Sequence, residues 1–348
     1  KRQILGRLYG RQADRVMAEL DALLAGRAPR PATPGWDERT AWIIAYPDQF
    51  LASDLAPLAA LRTMITRHLQ PAITGVHVLP FHPSSSDGGF SITEFEAVDP
   101  VHGSWSDLAD LAAATTVMAD AVMNHASAQG RWFRSFLAGE PPYDRFFRQV
   151  EPTADLSSVV RPRSSPLVAS FTRPDGDAVS VWATFSHDQV DLDYRAPEVL
   201  VAMVELVLRY VSAGARAVRL DAVAFLWKEE GSPSVHRPET HDIVRLIRAC
   251  LDEVDPGAVL VTETNVPHEE NVSYFGPPAL REAQAVYQFP LPPLALHSLL
   301  VGDARELRSW AAGIRLDRDD TTFLNFLGSH DGVGERPGEG LLDAIFAT

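Results

Sequence analysis

Seven short apolar runs, most of them separated by text with helical periodicity, constrain the fold of this chain more than any other feature. They are Ala41–Tyr46, GVHVLPF (75–81), TVMADAVMNH (116–125), ARAVRLDAV (215–223), AVLVTET (258–264), VYQF near 286–289 and TTFLNFLG (321–328). Helix-like stretches lie between them: Leu55–Leu69, WSDLADLAAA (105–114) with Ser104 or Ser106 as N-cap, PEVLVAMVELVLRYV (197–211), ETHDIVRLIRACLDEV (239–254) and a segment around 303–313. Strand, helix, strand in repetition predicts parallel pairing, because each helix carries the chain back to the starting end and covers a face of the sheet. No GxGxxG turn follows any of these strands, which counts against a dinucleotide-binding sheet. The expected fold is α/β, a (β/α)8 TIM barrel.

Around that frame the chain divides into three parts. Residues 1–24 read as one amphipathic helix with Ile4, Leu8, Val16, Leu20 and Leu23 among its apolar positions, stopped by the proline-rich RAPRPATPG. This gives an N-terminal helix and linker over 1–35. The barrel occupies 36–125 and 190–348. The aromatic and proline-rich text of 126–189, including EPPYDRFFRQV and RPRSSPL, reads as a small inserted domain after the third strand, on the barrel face where binding loops reside. Residues 332–348 carry no convincing eighth strand, and an open barrel leaves an apolar edge exposed. The expectation is that this chain is truncated or incompletely represented.

Composition narrows the function. With 46% hydrophobic and 22% charged residues the 348-residue chain has ordinary globular usage and ample length for a core. A formal net charge of −15 and a pI near 5.1 count against nucleic acid and anionic membranes as partners. Any anion must therefore meet locally clustered arginines. The lone cysteine, Cys250, permits no disulfide within the chain and suits the cytoplasm. Residues 1–24 lack the apolar core of a signal peptide, and no stretch is long and apolar enough for a membrane span.

Three carboxylates end three of the apolar runs: Asp221 in AVRLDAV, Glu263 in VLVTET and Asp331 in FLNFLGSHD. An acid at the end of a buried strand is costly unless something there uses it. Arg219 lies two residues before Asp221, so both face the same way, and a guanidinium beside a carboxylate is expected to orient it and keep it ionised. Taken alone, the pair reads equally well as a buried structural ion pair. Glu263, at an apolar strand end, is expected to have a raised pKa suited to a general acid. In the third strand, Asp120 and Asn124 share a face and His125 sits at the tip; a metal reading of this pair has too few ligands. FHPSSSDGGFS (81–91) places Asp87 and Phe90 on a glycine-bearing loop, a carboxylate beside an aromatic wall that could hold a sugar or simply make a turn.

VMADAVMNH, ARAVRLDA, VTETN and FLGSHD resemble, in order and spacing, the four signature regions of the α-amylase superfamily of glycoside hydrolases. VLPFHPSSSDGGFS, VDPVHGSWSDL, RPRSSPL, TFSHDQVDLDYRAPEVL, LDAVAFLWKE and VYQFPLPPLALHSL narrow the likeness to its sucrose phosphorylase-like group, over roughly residues 36–336. The N-terminal helix and TETNVPHEENVSYFG look closer to glucosylglycerate and related phosphorylases. The resemblance implies Asp221 as nucleophile, Glu263 as general acid/base and Asp331 as transition-state stabiliser. It implies Arg219 as the nucleophile's support, and His125 and His330 as holders of glucose hydroxyls. Asp87 and Phe90 would sit at the far end of that glucose, and Arg163 near the phosphate or acceptor. The family's arginine partner for Asp87, eighth strand and C-terminal β-domain are not in this text. The implied activity is retaining transfer of glucose from sucrose, sucrose 6′-phosphate or glucosylglycerate to inorganic phosphate, with no other cofactor and no metal. An α-glucosidase or transglucosylase with the same carboxylates, or a silent barrel scaffold, is the alternative.

Overall fold

The computed structural model describes residues 1–27, 29–30 and 36–333. Its centre is one sheet of seven parallel strands: β1 (Trp42–Ala45), β2 (Gly75–Val78), β3 (Thr116–Val122), β4 (Ala217–Asp221), β5 (Val259–Thr262), β6 (Ala285–Tyr287) and β7 (Thr322–Leu324). Each pairs with its neighbours in the chain, in the order β1 to β7, as successive strand–helix–strand units require. Strands β2, β3 and β4 are almost wholly buried on both faces, which explains their continuous apolar text. Trp42, Ile43 and Ile44 of β1 line the same cavity, of about 1050 Å³, as Thr322, Phe323 and Leu324 of β7. The sheet thus curls until its two edges face one another across that space. The expected lack of an eighth strand concerned 332–348, of which 334–348 lie outside the described residues.

The helices pack outside this sheet, and the sequence expectation fails at two places. The first helix is not continuous: α1 (Arg2–Tyr9) and α2 (Ala13–Leu24) are separated at Gly10, whose φ of 53° and ψ of −116° no right-handed helix accommodates. The break turns Ile4, Leu5, Val16 and Leu20 together into the core, while Leu8 and Leu23 stay half-buried. Arg7 fastens the pair to the barrel by two hydrogen bonds, of 2.7 and 2.6 Å, to Asp242. Next come α3 (Pro57–Met64), α4 (Trp105–Ala114), α5 (Pro197–Ser212) and α6 (Pro238–Val254). Ser104, rather than Ser106, caps α4 through a reciprocal pair of bonds with Asp107. Then α7 (Leu291–Val301) appears where no helix was expected. Pro292 and Pro293 read as breakers, but proline is tolerated in a first helical turn, and Leu299 is 79% exposed, so no clean apolar stripe marks the segment. Last is α8 (Arg305–Gly313).

Between β3 and α5, the strand His125–Ser127 pairs antiparallel with Gln189–Asp191, and Val168–Thr172 pairs with Ala178–Trp182. His125 therefore belongs to a separate strand and not to the tip of β3. A ring cluster of Phe133, Phe136, Phe147 and Phe171, with centroids 4.7 to 5.5 Å apart, gives this segment its own packed interior.

Candidate active site

The β3–β4 register places Asp120 opposite Arg219 and Val122 opposite Asp221. Arg219, 2% exposed, spends one terminal nitrogen on two acids: Nη1 donates to Asp120 Oδ1 at 2.5 Å and to Asp221 Oδ1 at 2.8 Å. Its Nη2 stands 3.9 Å from Glu263 Oε2. The rings of Phe90 and Tyr287 lie with centroids 5.7 Å from the guanidinium carbon. Asp120 takes a further bond from His77 Nε2 at 2.7 Å. Burial pushes the Asp120 carboxyl up, but Arg219 and His77 outweigh it and hold the group below its ordinary value. Both oxygens of Asp120 are thus engaged by Arg219 and His77, and it does not act with Asn124. Asn124 turns instead to Asp191 (3.2 Å) and to the buried ammonium of Lys228 (2.6 Å). Asp120→Ala strands a buried arginine, and denaturant unfolding should show a loss of about 3–5 kcal/mol. Unchanged stability would count against this ion-pair network.

Asp221 ends β4, and Ala222 then adopts φ 48°, a left-handed conformation strained for alanine. That sharp turn aims the Ala222 N–H at Glu263 Oε2, 3.1 Å away, and brings two carboxyls to one arginine. The sequence expectation that Arg219 keeps Asp221 low is overturned here. Burial is the largest influence and, with the neighbouring Glu263 and Asp120, pushes Asp221 up to about 8 against the pull of Arg219. Glu263 is likewise raised by burial, as expected, with Arg219 and the Ala222 N–H pulling back. The two raised carboxyls stand close enough that a charge on one favours a proton on the other. Of the two, Asp221 has the direct bond from Arg219 and Glu263 the longer approach, so the arginine supports a charge on Asp221 more strongly.

Asp331 is exposed, on a turn closed between Ser329 and Gly332, with its N–H 3.1 Å from Ser329 Oγ. His330 Nε2 lies 3.4 Å from Asp331 Oδ2, and its ring stacks on Phe90 with centroids 5.1 Å apart. Burial, helped by the charge of Arg219, depresses the His330 pKa. At the opposite end, Gln189 Nε2 donates to Asp87 Oδ2 at 2.8 Å and lies 3.1 Å from His125 Nε2. His125 Nε2 also lies 3.1 Å from the Phe90 carbonyl. Burial lowers His125 to about 4, so its ring is neutral at ordinary pH.

All nine residues singled out from the sequence line one cavity of about 200 Å³: Asp87, Phe90, His125, Arg163, Arg219, Asp221, Glu263, His330 and Asp331. The larger space between the sheet edges touches none of the three catalytic candidates Asp221, Glu263 and Asp331. Tyr46, Phe185 and Gln189 also line the smaller cavity and escaped the sequence reading. The only signal for Phe185 and Gln189 was a place in TFSHDQVDLDY, whose strand pairing brings Gln189 opposite Ser127, beside His125, and for Tyr46 its place at the end of the first apolar run. Arg161, two residues before Arg163, donates to the carbonyls of Ser164 and Ser165.

Comparison with known proteins places this arrangement. Residues 45–331 match the model of the α-amylase catalytic domain. The glucosylglycerate phosphorylase of Allomeiothermus silvanus is 48% identical over 338 residues, covering 97% of this chain and 60% of that protein. That of Escherichia coli is 46% identical over 307 residues, covering 88% and 55%. The chain thus spans under two thirds of the length of these curated relatives. The crystal structure of sucrose 6F-phosphate phosphorylase from Thermoanaerobacter thermosaccharolyticum shares the fold, with a TM-score of 0.76 at 23% identity, over 88% of this chain and 62% of that one. The seven-stranded curled sheet is accordingly an α-amylase-type β/α barrel, and the chain belongs to the α-amylase catalytic-domain family, in its sucrose phosphorylase-like group.

Proposed function

We propose that this chain carries the active site of a retaining α-glucoside phosphorylase, with glucosylglycerate as its preferred donor and inorganic phosphate as co-substrate. The observation that carries the reading is Asp221 and Glu263 in one cavity, raised by burial and served by a single arginine. Such a pair supplies both groups a double displacement needs: a carboxylate to attack and a carboxylic acid to protonate. The choice of donor rests on the relatives named glucosylglycerate phosphorylase, at 46–48% identity, against 31% for a sucrose phosphorylase.

In the first step Asp221 Oδ attacks the anomeric carbon while Glu263 gives its proton to the departing glycosidic oxygen, releasing glycerate. The glucose is left as a β-ester on Asp221. In the second step a phosphate oxygen attacks the same carbon, Glu263 takes the phosphate proton, and the ester bond to Asp221 breaks. The product is α-glucose 1-phosphate, and Glu263 is again protonated. Asp331 faces the charge that develops on the sugar, and Asp87, His125 and His330 take its hydroxyls against the Phe90 wall. Arg163 is exposed, lines the cavity and has no acidic partner among the described residues. It is the cation we assign to the phosphate or the glycerate carboxylate on an otherwise acidic chain. Segment 126–189 acts in this reading as an inserted domain over the site, no further cofactor takes part, and the compartment is the cytoplasm. A panel of glucosylglycerate, sucrose, sucrose 6′-phosphate and glucosylglycerol with phosphate tests the assignment through glucose 1-phosphate release. Glucosylglycerate should give the highest kcat/KM; equal or better turnover of sucrose would refute the donor.

A further inference from the structure

We infer that Asp188 is a positioning residue for the donor sugar, fastening together the three segments that carry Asp87, Phe90, His125 and Gln189. The inference rests on the function proposed above. Asp188 Oδ2 accepts bonds from Ser85 Oγ (2.5 Å), Ser86 Oγ (2.5 Å) and Ser91 Oγ (2.9 Å). Its Oδ1 accepts from Ser127 Oγ (3.2 Å) and Gln129 Nε2 (3.4 Å). The backbone adds to the joint: the Asp188 carbonyl accepts from Ala128 N at 2.8 Å and from Ser91 Oγ at 3.0 Å. Ser85 and Ser91 bracket the loop bearing Asp87 and Phe90. Ser127 ends the strand that His125 begins, and Gln189 is the next residue along the chain.

Asp188 itself is not among the cavity-lining residues, so it acts through its neighbours. Among the described residues no lysine or arginine forms an ion pair with it. Five neutral donors are an unusual way to satisfy a half-buried carboxylate, and they account for Ser85, Ser86 and Ser91 of the run SSSDGGFS, which the chemistry leaves unused. Burial pushes the Asp188 carboxyl up, yet the serine hydroxyls together hold it below its ordinary value. The loop needs such a tie. Asp87, Gly88 and Gly89 adopt φ of 55°, 59° and 101° in succession, and an aspartate in that region persists only where its surroundings impose it. A carboxylate accepting from two segments while standing on a third is the means at hand.

The test uses the intact protein and Asp188→Asn, which keeps the shape but replaces an acceptor oxygen with a donor NH2. Two affinities are read, calorimetric Kd for the iminosugar deoxynojirimycin and KM for glucosylglycerate, beside kcat and thermal melting. Both Kd and KM should rise about tenfold while kcat stays within about threefold. Hydrogen exchange should quicken in 84–92 and 125–129 and stay unchanged in β3–β5. If Asp188→Asn does not fold, the double change Ser85→Ala and Ser86→Ala, which removes two donors to Oδ2, should reproduce the rise. Unchanged Kd and KM in a folded variant overturn the inference, as does a fall in kcat as large as that in kcat/KM. If the wild-type protein binds deoxynojirimycin but releases no glucose 1-phosphate, the proposed function fails while the binding series still decides the role of Asp188. A wild-type protein that does not bind the iminosugar overturns both.

Discussion

Asp221→Asn is expected to lower turnover of glucosylglycerate by on the order of 10⁴-fold or more, because no other group can form the glucosyl ester. The fold should survive. Asparagine keeps the carbonyl oxygen that accepts from Arg219 Nη1 at 2.8 Å, and it removes one of the negative charges crowded round that arginine. Replacing a carboxylate that burial already pushes up to about 8 relieves an electrostatic cost, so the melting temperature should not fall. Steady-state kinetics beside a melting curve checks both halves. Turnover within tenfold of wild type in a folded variant would refute the nucleophile, whereas lost activity with lost fold would point to a structural ion pair.

Glu263→Gln separates acid catalysis from nucleophilic attack. With glucosylglycerate the leaving alkoxide needs a proton, and turnover should fall by about 10³-fold. With α-glucosyl fluoride the leaving group departs without one, and the rate of the first, fluoride-releasing step should fall by less than about tenfold. The pH dependence follows from the same pair. Both carboxyls are raised by burial, Asp221 to about 8, and the protons they retain are lost as pH rises through the basic side of neutrality. Wild-type activity on glucosylglycerate should therefore decline on the basic side of that value. The Glu263→Gln variant on the fluoride needs no acid and should show no such decline. Equal losses on both donors would remove Glu263 from the role of proton donor.

The site was legible in the sequence because strand ends are narrow addresses. Once ARAVRLDAV reads as a barrel strand, the two-residue period puts Arg219 and Asp221 at one mouth, and the parallel order of β4, β5 and β7 brings Glu263 and Asp331 to the same end. What escaped depends on contacts distant in sequence. Strand periodicity put Asp120 on one face with Asn124, whereas pairing β2, β3 and β4 gives it His77 and Arg219 as partners, 43 and 99 residues away. Gln189 and Asp188 lie in a segment without strong periodicity, and only the pairing of His125–Ser127 with Gln189–Asp191 reveals their neighbours. The sign of the Asp221 shift was misjudged for a related reason. The adjacent arginine and the buried strand end were visible in the text, but the other acids sharing that arginine were not. At the chain's start, Gly10 broke a helix that apolar spacing alone had joined.

The central claim is that phosphate, and not water, takes the glucose from Asp221. Following the reaction with glucosylglycerate by proton and phosphorus NMR, with and without inorganic phosphate, tests it directly. The account predicts phosphate-dependent formation of α-glucose 1-phosphate with retained configuration, and little free glucose when phosphate is omitted. Rapid glucose release without phosphate, or β-glucose 1-phosphate as the first product, would contradict it.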